Sequence, residues 1–448
     1  MSLSRTERRE LERQRRRRRN SRLFAGLLAL IGLLLIAAVV LLGYNILMSR
    51  PALPASSGIE AGAGMDEAAS AGQQAGGSSQ GQARVGNSSG SKPETAVPTE
   101  GAARNGNASG IGTAGQGAAG GGASVPEKAS SGDEPRVTMA FVGDVMWAST
   151  VEDVLKRSGY DYPYLEVREL LQKADISIAN LETPVTDRGK GTGVNAYEYK
   201  SSPKALSAFK EAGFDVVNLA NNHILDYGVT GLLDTIKHLD AHGLRYFGAG
   251  SNIEAAYEPA ILEVNGFNIA FLGFSRFIPV ASWKAGKNQA GVAETYSTIL
   301  PLEAIRKAKA AADFVIVVPH WGVEREDTPA NYQKNLAYQY IDAGADLIVG
   351  GHPHVLQGFE TYKGKWIAYS LGNFIFTKNP LAKTWDSAIL QASCGKISGC
   401  SLNVVPVLTE LANPKPLEGE AAAKLLARLS SLSINAKVLP DGSVRAKE

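Results

Sequence analysis

The chain has 448 residues, with 46 Lys and Arg against 44 Asp and Glu, a formal charge of +2. Ten arginines and three glutamates in residues 1–22 contribute +7 to that total, which leaves −5 for the other 426 residues. A nucleic-acid binder would carry its basic charge on the folded part, so that class is excluded, and 48 glycines exceed what one ordinary globular domain uses.

Residues 1–22 read as a basic cytoplasmic tail. Leu23 to Tyr44 is a run of 22 uncharged residues. As a helix it would be ~33 Å long, enough to cross a bilayer core of ~30 Å. Residues 23–48 are therefore expected to be a transmembrane anchor. Arg15 to Arg19 and Arg22 flank its amino end, so the positive-inside rule keeps that end in the cytoplasm and places the rest of the chain outside the cell membrane, after a single pass. A cleaved signal peptide is the alternative, but the run is long for one and no small-x-small cleavage site follows Tyr44. Residues 49–135 read as a disordered linker. From Pro51 to Glu134, 49 of 84 residues are Gly, Ala or Ser and none is aromatic. Such a stretch cannot bury enough apolar surface to offset its ordering entropy, and as a flexible tether it spans about 50 Å.

The body follows, with residues 136–410 as the main domain and 411–448 as a C-terminal helix and tail. Val137–Val142 is an apolar run that ends in Gly143-Asp144. Helical spacing over 163–173 leads to the apolar run Ile176–Leu181, which ends at Glu182. A helix over 203–212 leads to Val216–Ala220 and then Asn221-Asn222-His223. After a helix over 229–242, Ala260–Val264 and Ile269–Phe274 flank Asn265-Gly266, a hairpin signal. A helix over 301–312 leads to Phe314–Val318 and His320. A helix over 330–343 leads to Leu347–Val349 and Gly350-Gly351-His352-Pro353-His354. Trp366–Leu371, Ser387–Ala392 and Leu402–Leu408 are strand-like, and 418–432 is amphipathic. The alternation predicts an α/β fold with mostly parallel strands. Cys394 and Cys400 flank the expected turn 395–399. An outside location permits a disulfide there, with two free thiols as the alternative.

In such sheets ligands bind beyond the carboxyl ends of the strands. Five strand ends deliver Asp144, Glu182, Asn222 with His223, His320, and His352 with His354. Pro353 keeps the last pair extended, so the two imidazoles are expected on one side. This mixed nitrogen and oxygen donor set suits one or two divalent transition metals such as Mn, Zn or Fe. Such ions polarise a phosphoryl or carbonyl group and lower the pKa of a bound water. His223, adjacent to Asn222, points elsewhere and is expected to be an acid or a substrate contact. His238 and His242 share a helix face and read as solvated. Trp147 and Trp321 adjoin site residues and read as pocket walls or as core.

The motifs FVGDVM (141–146), NLETPV (180–185), NLANNHILDYG (218–228), PHWGVE (319–324), GADLIVGGHPHVLQG (344–358) and YSLGNFIF (369–376) resemble the CapA family of capsule and poly-γ-glutamate biosynthesis proteins. That family is similar to the calcineurin-like metallophosphatases. The resemblance implies a four-layer αββα metallophosphatase-like sandwich, preceded here by the transmembrane helix and the disordered linker. It implies metal ligation by Asp144, Glu182, Asn222, His320, His352 and His354, with Asp144 and His223 at the catalytic step. Met146 stands where metallophosphatases carry a histidine, and Glu182 where they carry a bridging aspartate. Lys200, Arg276, Glu324 and Asn373 are the expected substrate contacts.

Two functions remain open. One is an extracytoplasmic accessory protein of capsule or poly-γ-glutamate synthesis or export. Its partners would be the bilayer, membrane polymer-synthase subunits and an anionic polymer, and its site would be hydrolase-like. The other is a membrane-tethered metal-dependent phosphohydrolase acting on cell-envelope phosphoesters. A binding scaffold with a residual site is a third reading, and the residues alone do not decide whether the chain is an enzyme.

Overall fold

A computed structural model describes residues 134–377 and 379–447. The tail 1–22, the anchor 23–48 and all but the last two residues of the 49–135 linker lie outside them. Among the described residues no helix is long and apolar enough to cross a membrane.

The first strand, β1 (Arg136–Val145), shows how side-chain alternation builds layers. Met139 and Phe141 enter one buried cluster, while Ala140 and Val142 enter another on the opposite face, as a period of two requires. β2 (Ile176–Leu181), β3 (Val216–Asn218) and β4 (Arg245–Phe247) follow in parallel order beside β1. The helices Thr150–Ser158, Ala205–Glu211 and Gly228–Ala241 link these strands. The helix expected over 163–173 is a 3-10 turn at Tyr162–Tyr164, with Pro163 in its first turn, followed by the short helix Arg168–Gln172. Its apolar spacing is nonetheless used, because Tyr164, Val167 and Leu171 are all buried.

β5 (Ala249–Gly250) precedes β6 (Ala260–Val264) and β7 (Phe267–Ser275). The β6–β7 hairpin turns on Asn265 and Gly266, whose φ angles are 52° and 77°, the left-handed pair such a two-residue turn demands. β8 (Gly291–Val292) pairs with β5. β9 (Phe314–His320), β10 (Leu347–Val349), β11 (Leu356–Tyr362) and β12 (Lys365–Leu371) complete a six-stranded sheet in the order β11-β12-β10-β9-β7-β6. The helices Ile299–Ala311 and Asn331–Ala343 lead into β9 and β10. β13 (Asn373–Ile375) returns to pair with β1. β14 (Asp386–Gly395) and β15 (Gly399–Glu410) form a long hairpin beside β1.

Residues past 410, expected as a helix and tail, contribute more to the fold than that. β16 (Asn413–Pro416), the helix Gly419–Leu432, β17 (Ala436–Val438) and β18 (Ser443–Ala446) follow, and the three strands extend the larger sheet to ten. Leu425, Leu426 and Leu429 of that helix enter the core between the sheets.

Three buried clusters define the layers. One lies between the large sheet and the helices that follow β1, β2 and β3, with Leu155, Phe209 and Leu232 among its members. The second is shared by the facing sheets, through Phe141, Ile178, Phe271, Ile316 and Val349. The third packs Leu272, Val317 and Ile348 of the smaller sheet under Ile305 and Tyr340 of its helices. The stacking runs helices, large sheet, small sheet, helices.

Cys394 and Cys400 face each other in the β14–β15 register and are disulfide-bonded. The Glu134 carboxylate accepts from the Ile397 and Ser398 amides at 2.9 and 3.0 Å, which caps the same turn. Closing a loop of six residues' separation removes denatured-chain entropy worth about 2 kcal/mol. Cys394→Ser with Cys400→Ser is expected to lose about that much in chemical denaturation, and reduction of the wild type should produce the same shift.

Candidate metal centre

The strand ends of both sheets converge. Asp144 is the penultimate residue of β1, Glu182 follows β2, Asn222 follows β3, His320 closes β9, and His352 and His354 follow β10. Asp144 and Glu182 are fully buried, and His320 is 1% exposed. The close approach of the two sheets depends on Gly351, where a Cβ would lie 2.7 Å from Asp144 Oδ1.

The donors fall into two groups. Glu182, His320 and His352 form one, Asp144, Glu182 and His354 the other, with the ligating atoms of each within 4.8 Å of one another. Glu182 belongs to both. Its Oε1 lies 3.6 Å from His320 Nε2 and 3.9 Å from His354 Nε2, and it is buried with no hydrogen-bond partner. His320 Nε2 also lies 2.7 Å from Asn222 Oδ1 and 3.1 Å from His352 Nδ1, so Asn222 joins the first group. His354 Nδ1 is 3.3 Å from Asp144 Oδ2 and 2.9 Å from Asn373 Oδ1.

His352 and His354 are not extended, contrary to the sequence expectation. Their φ angles are 96° and 56°, so the segment turns through conformations that L residues seldom occupy. Their ring centroids still lie 5.9 Å apart, but the rings face different partners. His352 turns to His320, with Phe277 stacked on it at 4.0 Å, and His354 turns to Asp144. Pro353 removes helix from its predecessor's options, but the chain takes a positive φ there in place of a strand.

Electrostatics fit a cation. Burial, then the Asp144 charge, pushes the Glu182 carboxyl well above the usual range. Burial, then His352 and His354, holds His320 well below the usual imidazole value. Burial and His354 do the same to His352. Both imidazoles thus keep free lone pairs. Burial pulls His354 down, but Asp144, Glu324 and Asn373 together outweigh it and the net shift is upward. A buried carboxylate oxygen without a donor, among imidazole nitrogens, is a costly arrangement, and a divalent cation relieves it. The mixed N/O donors suit Mn, Fe or Zn. Met146 is buried.

A cleft of ≈ 490 Å³ opens onto this centre, and Asn222, His223, Glu324, His354 and Asn373 are among the residues that line it. His223 turns its Nδ1 to Asp226 Oδ2 at 2.7 Å and stays out of both groups. The Glu324 side chain is 51% exposed, 3.9 Å from Arg325. Lys200 and Arg276 stand outside this lining. The Lys200 ammonium lies over Tyr227 at 5.0 Å. The Arg276 guanidinium lies over Tyr296 and Tyr332, at 4.2 and 5.6 Å, and its backbone amide donates to His320 O. Trp147 and Trp321 are core residues, 1% and 0% exposed. His238 and His242 remain on their helix and at its end, where His242 Nδ1 meets the His238 carbonyl.

Sequence reasoning passed over Asn180, although it lies two residues before Glu182 on the same face of β2. Its Nδ2 donates to Asp144 Oδ1 at 2.8 Å and lies 3.4 Å from both Glu182 Oε2 and His320 Nδ1, which ties the two groups together. Asn218 and Asn221 in turn donate to Asn180 Oδ1. Asp226 was also missed, three residues after His223 in the NLANNHILDYG motif.

Residues 138–378 match the family model of the bacterial capsule synthesis protein PGA_cap. The chain is 39% identical over 292 residues to the capsule biosynthesis protein CapA of Bacillus anthracis, an alignment covering 64% of this chain and 70% of that one. It is 35% identical over 287 residues to the PGA biosynthesis protein CapA of Bacillus subtilis, covering 64% of this chain and 75% of that protein. With more than half of its length matched in this way, the chain belongs to the bacterial capsule synthesis protein family, PGA_cap, alongside the CapA proteins.

Proposed function

We propose that this chain is a membrane-anchored, extracytoplasmic protein of capsule or poly-γ-glutamate biosynthesis or export, and that its cleft is a metal-dependent hydrolase site on a metallophosphatase-like four-layer plan. Family membership and the names of the CapA relatives support the biosynthetic role. The uncharged run in 23–48, flanked by arginines, supports the anchor. Proximity to the bilayer would bring membrane polymer-synthase subunits within reach. The observation that carries the hydrolase reading is Glu182 shared between two three-residue groups, with a bare, buried Oε1.

Asp144, Glu182, Asn222, His320, His352 and His354 would hold the metal. One or two divalent transition ions there would polarise the scissile group and lower the pKa of an attacking water. The chain's own residues supply the rest. Asn180 fixes the Asp144 carboxylate. Asp226, fully buried, holds the His223 Nδ1 proton, which leaves Nε2 as the ring atom free to serve a leaving group in the cleft. Glu324 and Asn373 line the substrate's approach.

The test is metal analysis of the full-length chain in detergent. One or two equivalents of Mn, Zn or Fe are expected, and fewer in His352→Ala with His354→Ala. A wild type that stays metal-free after reconstitution with Mn and Zn sinks the hydrolase site. Turnover of generic phosphoesters that Asp144→Asn abolishes would favour the phosphohydrolase over the polymer role. Loss of capsular polymer in that variant, without such turnover, would favour the polymer role.

A further inference from the structure

Residues 187–200 contain no helix or strand, yet the segment is fastened to the centre. Glu198 Oε1 gathers the Thr192 hydroxyl and the Gly193 and Val194 amides at 2.6, 2.5 and 3.3 Å, closing the turn on itself. The Thr192 amide then donates to Asp226 O at 3.0 Å. The Tyr199 amide donates to Asp226 Oδ2 at 2.8 Å.

Asn195 makes the decisive contact. Its Nδ2 donates to Asp226 Oδ1 at 2.6 Å and to the Asn222 carbonyl at 3.1 Å. A side-chain amide has two hydrogens, and both are used. One acceptor belongs to the carboxylate that orients His223, the other to the backbone of the candidate ligand Asn222. Asp226 is fully buried, and its two oxygens are met by His223, Asn195 and Tyr199. The same segment reaches the substrate side, since Asn195, Tyr197 and Tyr199 line the cleft and Tyr197 is 73% exposed.

We propose that Asn195 is a positioning residue, whose single amide holds the proton donor His223 and the metal ligand Asn222 in register and makes residues 192–199, but not the rest of the segment, part of the catalytic unit. This inference rests on the metal-site reading above. Surface anchoring alone would need only one of the two bonds. Because the pair joins an orienting carboxylate to a ligand backbone, displacing Asn195 disturbs both at once. Partners of this kind typically change metal affinity or activity by about 10–100-fold.

The test compares Asn195→Ala, Asn195→Asp and Lys190→Ala in the full-length chain, by equilibrium binding of Mn and Zn and by thermal unfolding in chelator. Lys190 lies in the same segment, exposed, and serves as the control. Asn195→Ala is expected to weaken metal binding by about tenfold. Asn195→Asp should weaken it further, because it is isosteric but sets a second carboxylate against Asp226. Lys190→Ala should bind as the wild type does. Where a phosphoester is turned over, kcat should fall in the same order with KM little changed. Asn195→Asp milder than Asn195→Ala, or both equal to the wild type, overturns the inference while the metal site stands. A wild type that binds neither ion overturns both. If Asn195→Asp unfolds, the Asn195→Ala affinity alone decides.

Discussion

Glu182→Gln is expected to empty both metal groups and to leave the metal-free protein at least as stable as the wild type. The two halves of this result have one cause. Glu182 is the only residue common to both groups, so loss of its charge weakens each, by at least about 10-fold if ligands matter no less than their outer partners. In the metal-free protein the same carboxylate is buried beside Asp144, with its acid pKa driven well above the usual range. A carboxyl whose folded pKa is raised costs stability as pH climbs from its unfolded value towards the folded one, and glutamine removes that cost at nearly constant shape. Elemental analysis after reconstitution measures the first half, and melting curves in chelator measure the second. Retention of metal would remove Glu182 from the centre. A metal-free variant melting several degrees lower would mean that its charge has a structural partner.

Trp321→Ala should be the most damaging single substitution next to the site, costing about 3–5 kcal/mol. Trp321 is fully buried, stacks near Tyr340 and Tyr369 at ring separations of 6.4 and 6.0 Å, and donates from Nε1 to the Tyr369 carbonyl at 2.9 Å. Its backbone amide donates to Gly351 O, so its loss reaches the loop that carries His352. Trp321→Phe keeps most of the volume but leaves the Tyr369 carbonyl unpaired in the core, for about 1–3 kcal/mol. Urea denaturation should rank alanine well below phenylalanine. Equal, small losses would return Trp321 to the wall of an open pocket.

How far the site can be read from sequence follows from which contacts are local. Asp144, Glu182, Asn222, His320, His352 and His354 were legible because each stands where an apolar run stops, and parallel strands present those ends together. Their division into two groups was not, because it depends on positive φ at His352 and His354, which Pro353 alone does not dictate. Asn180 and Asn195 serve through partners distant in sequence, and a single asparagine carries no pattern of its own. In the fold, the Asn265-Gly266 hairpin and the helices Ile299–Ala311, Asn331–Ala343 and Gly419–Leu432 were legible from turn chemistry and apolar spacing. β16, β17 and β18 have three or four residues each, too few for alternation to show; β16 and β18 pair with β15 of the long hairpin, and β17 pairs in turn with β18.

The two-sheet origin of the donors has a consequence for assembly. Asp144 and the His352 amide that approaches it are 208 residues apart, and neither sheet alone supplies a complete donor group. Contacts of such sequence separation form late in folding. Ion uptake would therefore be the last event in maturation, after both sheets have docked, and would act as a clamp that penalises their separation. The availability of the ion would then govern how much finished protein accumulates.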